Sequence, residues 1–284
     1  MHGILIILAL GIAVNIRLVY PRLTTHIERR WQVSLFFFLF PPLLLLTTAV
    51  AVICMGYKGE MFGLQASIFS YALAVIFAVL TVFTGVKLFA RGLHTQESLS
   101  LYPQKIINGK LARIIDTNFP YSALIGTIGP ELVVTQGLID SLDEEHLEAV
   151  LAHEQAHYDY GDTFWFFWLG WIKSVTSWLP YTDDLWRELL FLRETRADKK
   201  ASQTVDSLLL AESLLIVASQ ITTDANPKLA DDFCAAFDNL PQNRLLERVD
   251  RLLSPTHDVY HFYWQAWLLL SLSLIPFILL PWHS

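Results

Sequence analysis

Two histidines four residues apart, His153 and His157, enclose Glu154 in the run His153-Glu154-Gln155-Ala156-His157. On a helix such positions share a face one turn apart, so both imidazoles reach one metal ion. Glu154 stands about a quarter-turn away, beside the ion rather than on it. The pattern suits Zn2+ with a water in an open position and a carboxylate placed to take its proton. Downstream, Glu194-Thr195-Arg196-Ala197-Asp198 sets two carboxylates on one face of a second helix. Glu194 is the expected third ligand of a two-histidine, one-glutamate site. Asp198 is expected to accept from the other ring N–H of a ligand histidine and fix its tautomer. Ala156 and Ala197 are small, which allows the two helices a close approach.

The elements that must position these residues have local signals. Ser141-Leu142-Asp143-Glu144 reads as a capping box, with Ser141 as the cap, opening a helix to about Tyr160. Asp183-Asp184 is expected to cap a helix over about 185–202. Lys105 to Ile107, then Asn108-Gly109, then Lys110 to Ile115 predicts a hairpin with a type I′ turn. Glu131-Leu132-Val133-Val134-Thr135 reads as a further strand, and as the sheet edge along which an extended substrate would add. Further helices are expected over 203–222 and 243–253. The second is basic, and Arg244, Arg248 and Arg251 are expected to face solvent or headgroups. Tyr158 and Arg196 are candidates for stabilising an oxyanion.

The chain as a whole has the composition of a membrane protein. Of its 284 residues, 54% are hydrophobic and 17% charged, against about 25% charged in soluble domains. Mean hydropathy is +0.42. The net charge of -7, with no Lys/Arg-rich run, excludes a nucleic-acid binder. Cys54 and Cys234 lie in dissimilar surroundings and predict no disulfide framework. Apolar runs at 4–20, 33–55, 62–90 and 263–282 predict four transmembrane helices, the second kinked or broken at Pro41-Pro42. Arg17, Arg22, Arg29 and Arg30 flank the first loop, only Lys58 and Glu60 the second, and Lys87, Arg91, Lys105, Lys110 and Arg113 follow the third run. By the positive-inside rule the first loop and the region after residue 90 are cytoplasmic.

The expected fold is therefore a mainly α integral membrane protein carrying a cytoplasmic α+β zincin-like metallopeptidase domain. Residues 1–91 would hold three spans, 92–262 the zinc domain, and 263–284 the fourth span. Within the domain, 163–180 is rich in Phe and Trp. A single crossing there would part His153 from Glu194, so the segment is expected to be re-entrant or to lie on the membrane surface.

With these residues in place, the chain resembles the gluzincin membrane metallopeptidases, and most closely the BlaR/MecR-type antirepressor peptidases. The run 142–157 looks like their zinc helix, Gly161-Asp162 like their linker, Trp178-Leu179-Pro180 like their W-F-N-P turn, and 193–198 like their E-x-x-x-D helix. The asparagine of that turn is missing here, and the family's penicillin-binding sensor has no counterpart before Ser284. The resemblance implies Zn2+ as cofactor, a cytoplasmic protein or peptide substrate such as a transcriptional repressor, and a multi-pass place in the bacterial inner membrane. HtpX/Ste24-type processing or quality-control proteases share both motifs and imply the same chemistry on other substrates. A non-proteolytic zinc-binding regulator would not need Glu154. Substrate identity and oligomeric state are not given by the sequence.

Overall fold

The computed structural model describes residues 2–20, 30–58, 60–61, 64–224, 242–254, 268 and 270–282. Arg22, Arg29, Cys234 and residues 263–267 of the fourth expected span lie outside the described residues. The chain forms two compact units, one of Met1–Leu88, Leu169–Leu189 and Asp258–Ser284, the other of Phe89–Trp168 and Leu190–His257.

The first unit is built on α1 (His2–Val19), α2 (Arg30–Met55) and most of α3 (Ile68–Leu99). All three are long and apolar enough to cross a membrane. α2 is 67% buried over its apolar window against 22% for α1 and 11% for α3, so α2 is the centre and the others present apolar faces outward. Ala9 and Ala13, one turn apart, pack with Phe40, Leu44 and Leu45 of α2. Such small residues let two helices come close. α2 continues through Pro41-Pro42 without a break. Arg17 is not a loop charge: it is fully buried, and its guanidinium donates to the Phe38 carbonyl at 3.2 Å. Between α2 and α3 a minimal hairpin pairs β1 (Glu60–Met61) with β2 (Leu64–Gln65). Among the described residues, the C-terminal segment consists of short helical pieces such as Leu272–Leu274 and Ile275–Ile278. It is tied to α2 by the Thr47 hydroxyl, 2.5 Å from the Ser273 carbonyl.

Residues 169–189 belong to this same unit. They comprise the end of α6 (Asp162–Val175), a turn, and the start of α7 (Thr182–Ala201). Leu179, in the turn, is buried in the α1–α2 cluster. The Trp171 indole donates to the Thr81 carbonyl at 3.0 Å and lies over Gly85, where an added Cβ would come within 2.9 Å of it. Arg30 pairs with Glu188 at 2.6 Å. Residues 169–189 thus form a helical turn-back packed on the helices of this unit.

The second unit centres on a sheet ordered β3-β4-β6-β5, with β3 (Gln104–Ile107), β4 (Lys110–Ile115), β5 (Ser122–Ile125) and β6 (Glu131–Thr135). Asn108 and Gly109 turn the β3–β4 hairpin at φ 45° and 78°, the two left-handed positions a type I′ turn needs. β6 runs parallel to β4 on one side and antiparallel to β5 on the other. The expectation that Glu131–Thr135 is an edge strand is therefore corrected: both sides of its backbone are paired, and β5 is the outer strand. Glu131 itself takes the Arg113 guanidinium at 2.5 Å. Side chains alternate along β6. Leu132 and Val134 face a core shared with Ala112, Ile114, Leu147, Val150 and Leu151, while Val133 faces Leu99 and Ile115.

The helix that carries the histidine pair does not begin at Ser141. Thr135 caps a short α4 (Gln136–Ser141), whose last residue bonds back to the Gly137 carbonyl. Asp143 then caps α5 (Glu144–Tyr160), accepting from the His146 amide at 2.9 Å. α8 (Ser207–Asp224) and α9 (Gln242–Leu253) complete the unit.

Gly137 has no room for a side chain, since a Cβ there would meet the Asn118 carbonyl oxygen at 2.1 Å. We expect Gly137→Ala to destabilise the protein by about 1–3 kcal/mol, measured as a lowered Tm of the detergent-solubilised full chain. An unchanged Tm would show that the loop at Asn118 yields without cost.

Candidate active site

α5 carries His153, Glu154 and His157, all buried, on a helix with a side-chain cap at its start. At its end Gly161 adopts φ 62° and donates its N–H to the His157 and Tyr158 carbonyls. The left-handed residue stops the helix in one step. α6 starts at once, and Asp162 reaches back to His157.

Three donor atoms converge. His157 Nε2 lies 3.0 Å from His153 Nε2 and 3.6 Å from Glu194 Oε1. His153 Nε2 lies 3.3 Å from Glu194 Oε2. Ligands held about 2.0–2.1 Å from a tetrahedral zinc ion stand roughly 3.3–3.4 Å apart. The observed separations, one to each oxygen of Glu194, lie near that value, and His153, His157 and Glu194 form a group able to hold one ion.

Each histidine is held from behind. Asp198 Oδ1 lies 2.9 Å from His153 Nδ1, although off the line of its N–H. Asp162 Oδ2 lies 2.7 Å from His157 Nδ1. Both Nε2 atoms are left for a metal. Each of these carboxylates meets an arginine in turn. Arg248 donates to both oxygens of Asp198 at 2.7 and 2.8 Å, and Arg196 donates to Asp162 while its guanidinium lies 4.1 Å from the Tyr160 ring centre. Arg193 donates to Glu194 Oε1 at 2.7 Å.

Ionisation follows from this packing. Burial disfavours charge on His153, but Asp198 and Glu194 outweigh it and push the imidazole up to about 10. His157 is raised likewise, against burial, chiefly by Glu194 and Asp162. Burial would raise the Glu194 carboxyl, yet Arg193 and His157 hold it well below the usual carboxylate range. Asp198 is lowered in the same way by Arg248. The convergence of Glu194, Asp198 and Asp162 on the two imidazoles draws positive charge into this pocket, carried either by protons on the histidines or by a bound cation.

Several of these residues went unread in the sequence. Arg248 was expected on a surface, but it is buried against Asp198. Asp162 was only a linker residue. Its position directly after a helix-ending glycine, one turn beyond His157, is the signal that could have found it. Arg196, a candidate for the oxyanion, donates to Asp162. Tyr158 is exposed and borders a cleft of about 250 Å³ with Glu154, Lys110 and Leu124. Ser122, which bonds to Glu154, had no signal at all.

Residues 120–181 match the family model of peptidase family M48. The match takes in β5, β6 and the zinc helix and ends before Glu194, so the third donor rests on the geometry above. It supports a metallopeptidase of that kind, and such enzymes depend on a metal, typically zinc. No curated protein and no solved structure gives a significant match to the chain.

Zinc titration against a competing chelator is expected to give one tight site in the full-length protein. His157→Ala and Glu194→Ala should abolish it. Asp162→Asn and Asp198→Asn should each weaken it about 10–100-fold. Unchanged affinity in Asp162→Asn would remove the second histidine support.

Proposed function

We infer that this chain is a membrane zinc endopeptidase that cleaves a protein substrate on the cytoplasmic side. The carrying observation is the convergence of His153, His157 and Glu194, with Glu154 buried beside them in a unit that includes most of the M48-matching segment. These three residues would hold Zn2+, which when bound polarises a peptide carbonyl and makes a water more acidic. Glu154 takes the proton of the attacking water and hands it to the leaving amine. Asp198 and Asp162 keep the imidazoles oriented. The substrate lies extended along the open side of β5, which has no strand partner among the described residues. Its side chains then enter the cleft beside Glu154.

The proposed layout keeps residues 1–91 as three spans, 263–284 as a fourth, and 92–262 as the cytoplasmic domain. Residues 169–189 serve as a re-entrant hairpin. The charge pattern of the loops supports this orientation. The likeness to antirepressor peptidases makes a transcriptional repressor the first substrate to examine.

Glu154→Gln protein in lipid nanodiscs is expected to cleave fluorescein-labelled casein about 10²–10⁴-fold more slowly than wild type, with its zinc retained. Full activity with zinc bound would remove Glu154 as the base. For the topology, cysteines at Lys58 and Lys105 in a cysteine-free background separate the alternatives. A membrane-impermeant maleimide should label position 58 on intact cells and position 105 only after permeabilisation. The reverse pattern would invert the orientation.

A further inference from the structure

The general base has one visible support, and it comes from the sheet. Glu154 is buried at 7% exposure, and the Ser122 hydroxyl donates to its Oε1 at 2.7 Å. Among the described residues no other hydrogen bond reaches this carboxylate. Ser122 is the first residue of β5, and its place is set from both sides. It pairs with Val134 of β6. The preceding Tyr121 exchanges bonds with Thr135, its amide to the Thr135 hydroxyl at 2.8 Å and its carbonyl from the Thr135 amide at 3.0 Å. Thr135 is in turn the cap of α4. The serine hydroxyl therefore comes from fixed backbone.

We propose that Ser122 is the positioning residue for Glu154: its hydroxyl occupies Oε1 and leaves Oε2 to handle the water proton. This rests on the peptidase reading above and deepens it. A hydroxyl has one proton to donate, and an ionised carboxylate only accepts. The bond thus holds the carboxylate in the rotamer in which one oxygen is committed and the other is open. Ser122 also lies on the strand whose open side would take the substrate backbone. Base and substrate are then registered by one piece of chain, so the distance between the attacked carbonyl and the proton acceptor is set by β5. Misplacement of a catalytic group by about 1 Å costs on the order of 10²-fold in rate. That is the reason for a dedicated support.

The test uses full-length zinc-loaded protein in nanodiscs, with labelled casein as substrate and a leucyl-hydroxamate dipeptide as binding probe. Ser122→Ala should keep its zinc, lose about 10-fold or more in kcat, and change KM little. Ser122→Thr, which restores the hydroxyl, should recover most of the rate, and Ser122→Cys, a weak donor of similar size, should fall between. In the Glu154→Gln background, Ser122→Ala should add no further loss, because the two residues act as one unit. Hydroxamate affinity should follow the same order. Wild-type kcat in Ser122→Ala, a change in KM alone, or an additive loss on Glu154→Gln would each overturn the assignment of Ser122. Wild-type protein that binds the hydroxamate without cleaving casein would overturn the peptidase reading and leave the serine to be judged by probe binding. Wild-type protein that does neither would overturn both.

Discussion

A carboxylate taken out of water costs several kcal/mol unless a cation or hydrogen-bond donors meet it. The second unit buries four of them, Glu154, Asp162, Glu194 and Asp198. Each is met: Glu154, Asp162 and Asp198 by a residue on another element, Ser122, Arg196 and Arg248, and Glu194 by its neighbour Arg193. The elements of this unit can be read as the set required to bring those partners in. α5 and α7 bring the donors, α6 begins with Asp162, α9 exists at the site through Arg248, and β5 supplies a hydroxyl. The pairing leaves the imidazole Nε2 atoms and the Glu194 carboxylate facing each other, the donor set a divalent cation takes.

The two histidines are not equivalent in how they are held. His157 takes its support locally, from Asp162 five residues on, made possible by the left-handed Gly161. His153 takes its support from Asp198 on another helix, which in turn depends on Arg248 of a third. The first arrangement is local apart from the Arg196 contact on Asp162, while the second requires α5, α7 and α9 together. Competence of the centre is therefore tied to the packing of α9.

What the sequence made legible follows the range of each interaction. The histidine pair and the Glu194–Asp198 pair are helical spacings, and their geometry can be computed without the fold. The Asn108-Gly109 turn is equally local. The cap was misread because Ser141 and Asp143 are both good capping residues two positions apart, and only the presence of α4, started by Thr135, decides between them. β6 was read as a strand correctly but as an edge wrongly. Leu132-Val133-Val134 is apolar on both faces, which belongs to a central strand, whereas the Ser122 strand is only half buried. Arg248 pairs with a residue fifty positions earlier. A sequence shows its charge and helical register, but nothing in it says that this arginine, rather than Arg244 or Arg251, turns inward.

The 37-residue interval between His157 and Glu194 has its own logic. From Asp162 to Val175, α6 rises roughly 20 Å, and from Thr182 to Glu194, α7 rises about 18 Å at 1.5 Å per residue. Two nearly equal arms joined by a tight turn bring the chain back to the level from which it left, and the Arg196–Asp162 bond closes the two roots on each other. The roots carry the charges that serve the histidines. The far end is constrained only by what it packs against, and it carries Trp171, Leu179 and Trp186. An apolar insertion long enough to read as a membrane span can therefore sit between two ligands of one metal site. An odd half-turn inserted into α7 before Glu194 would rotate its carboxylate away from the imidazoles while leaving both motifs intact in the sequence.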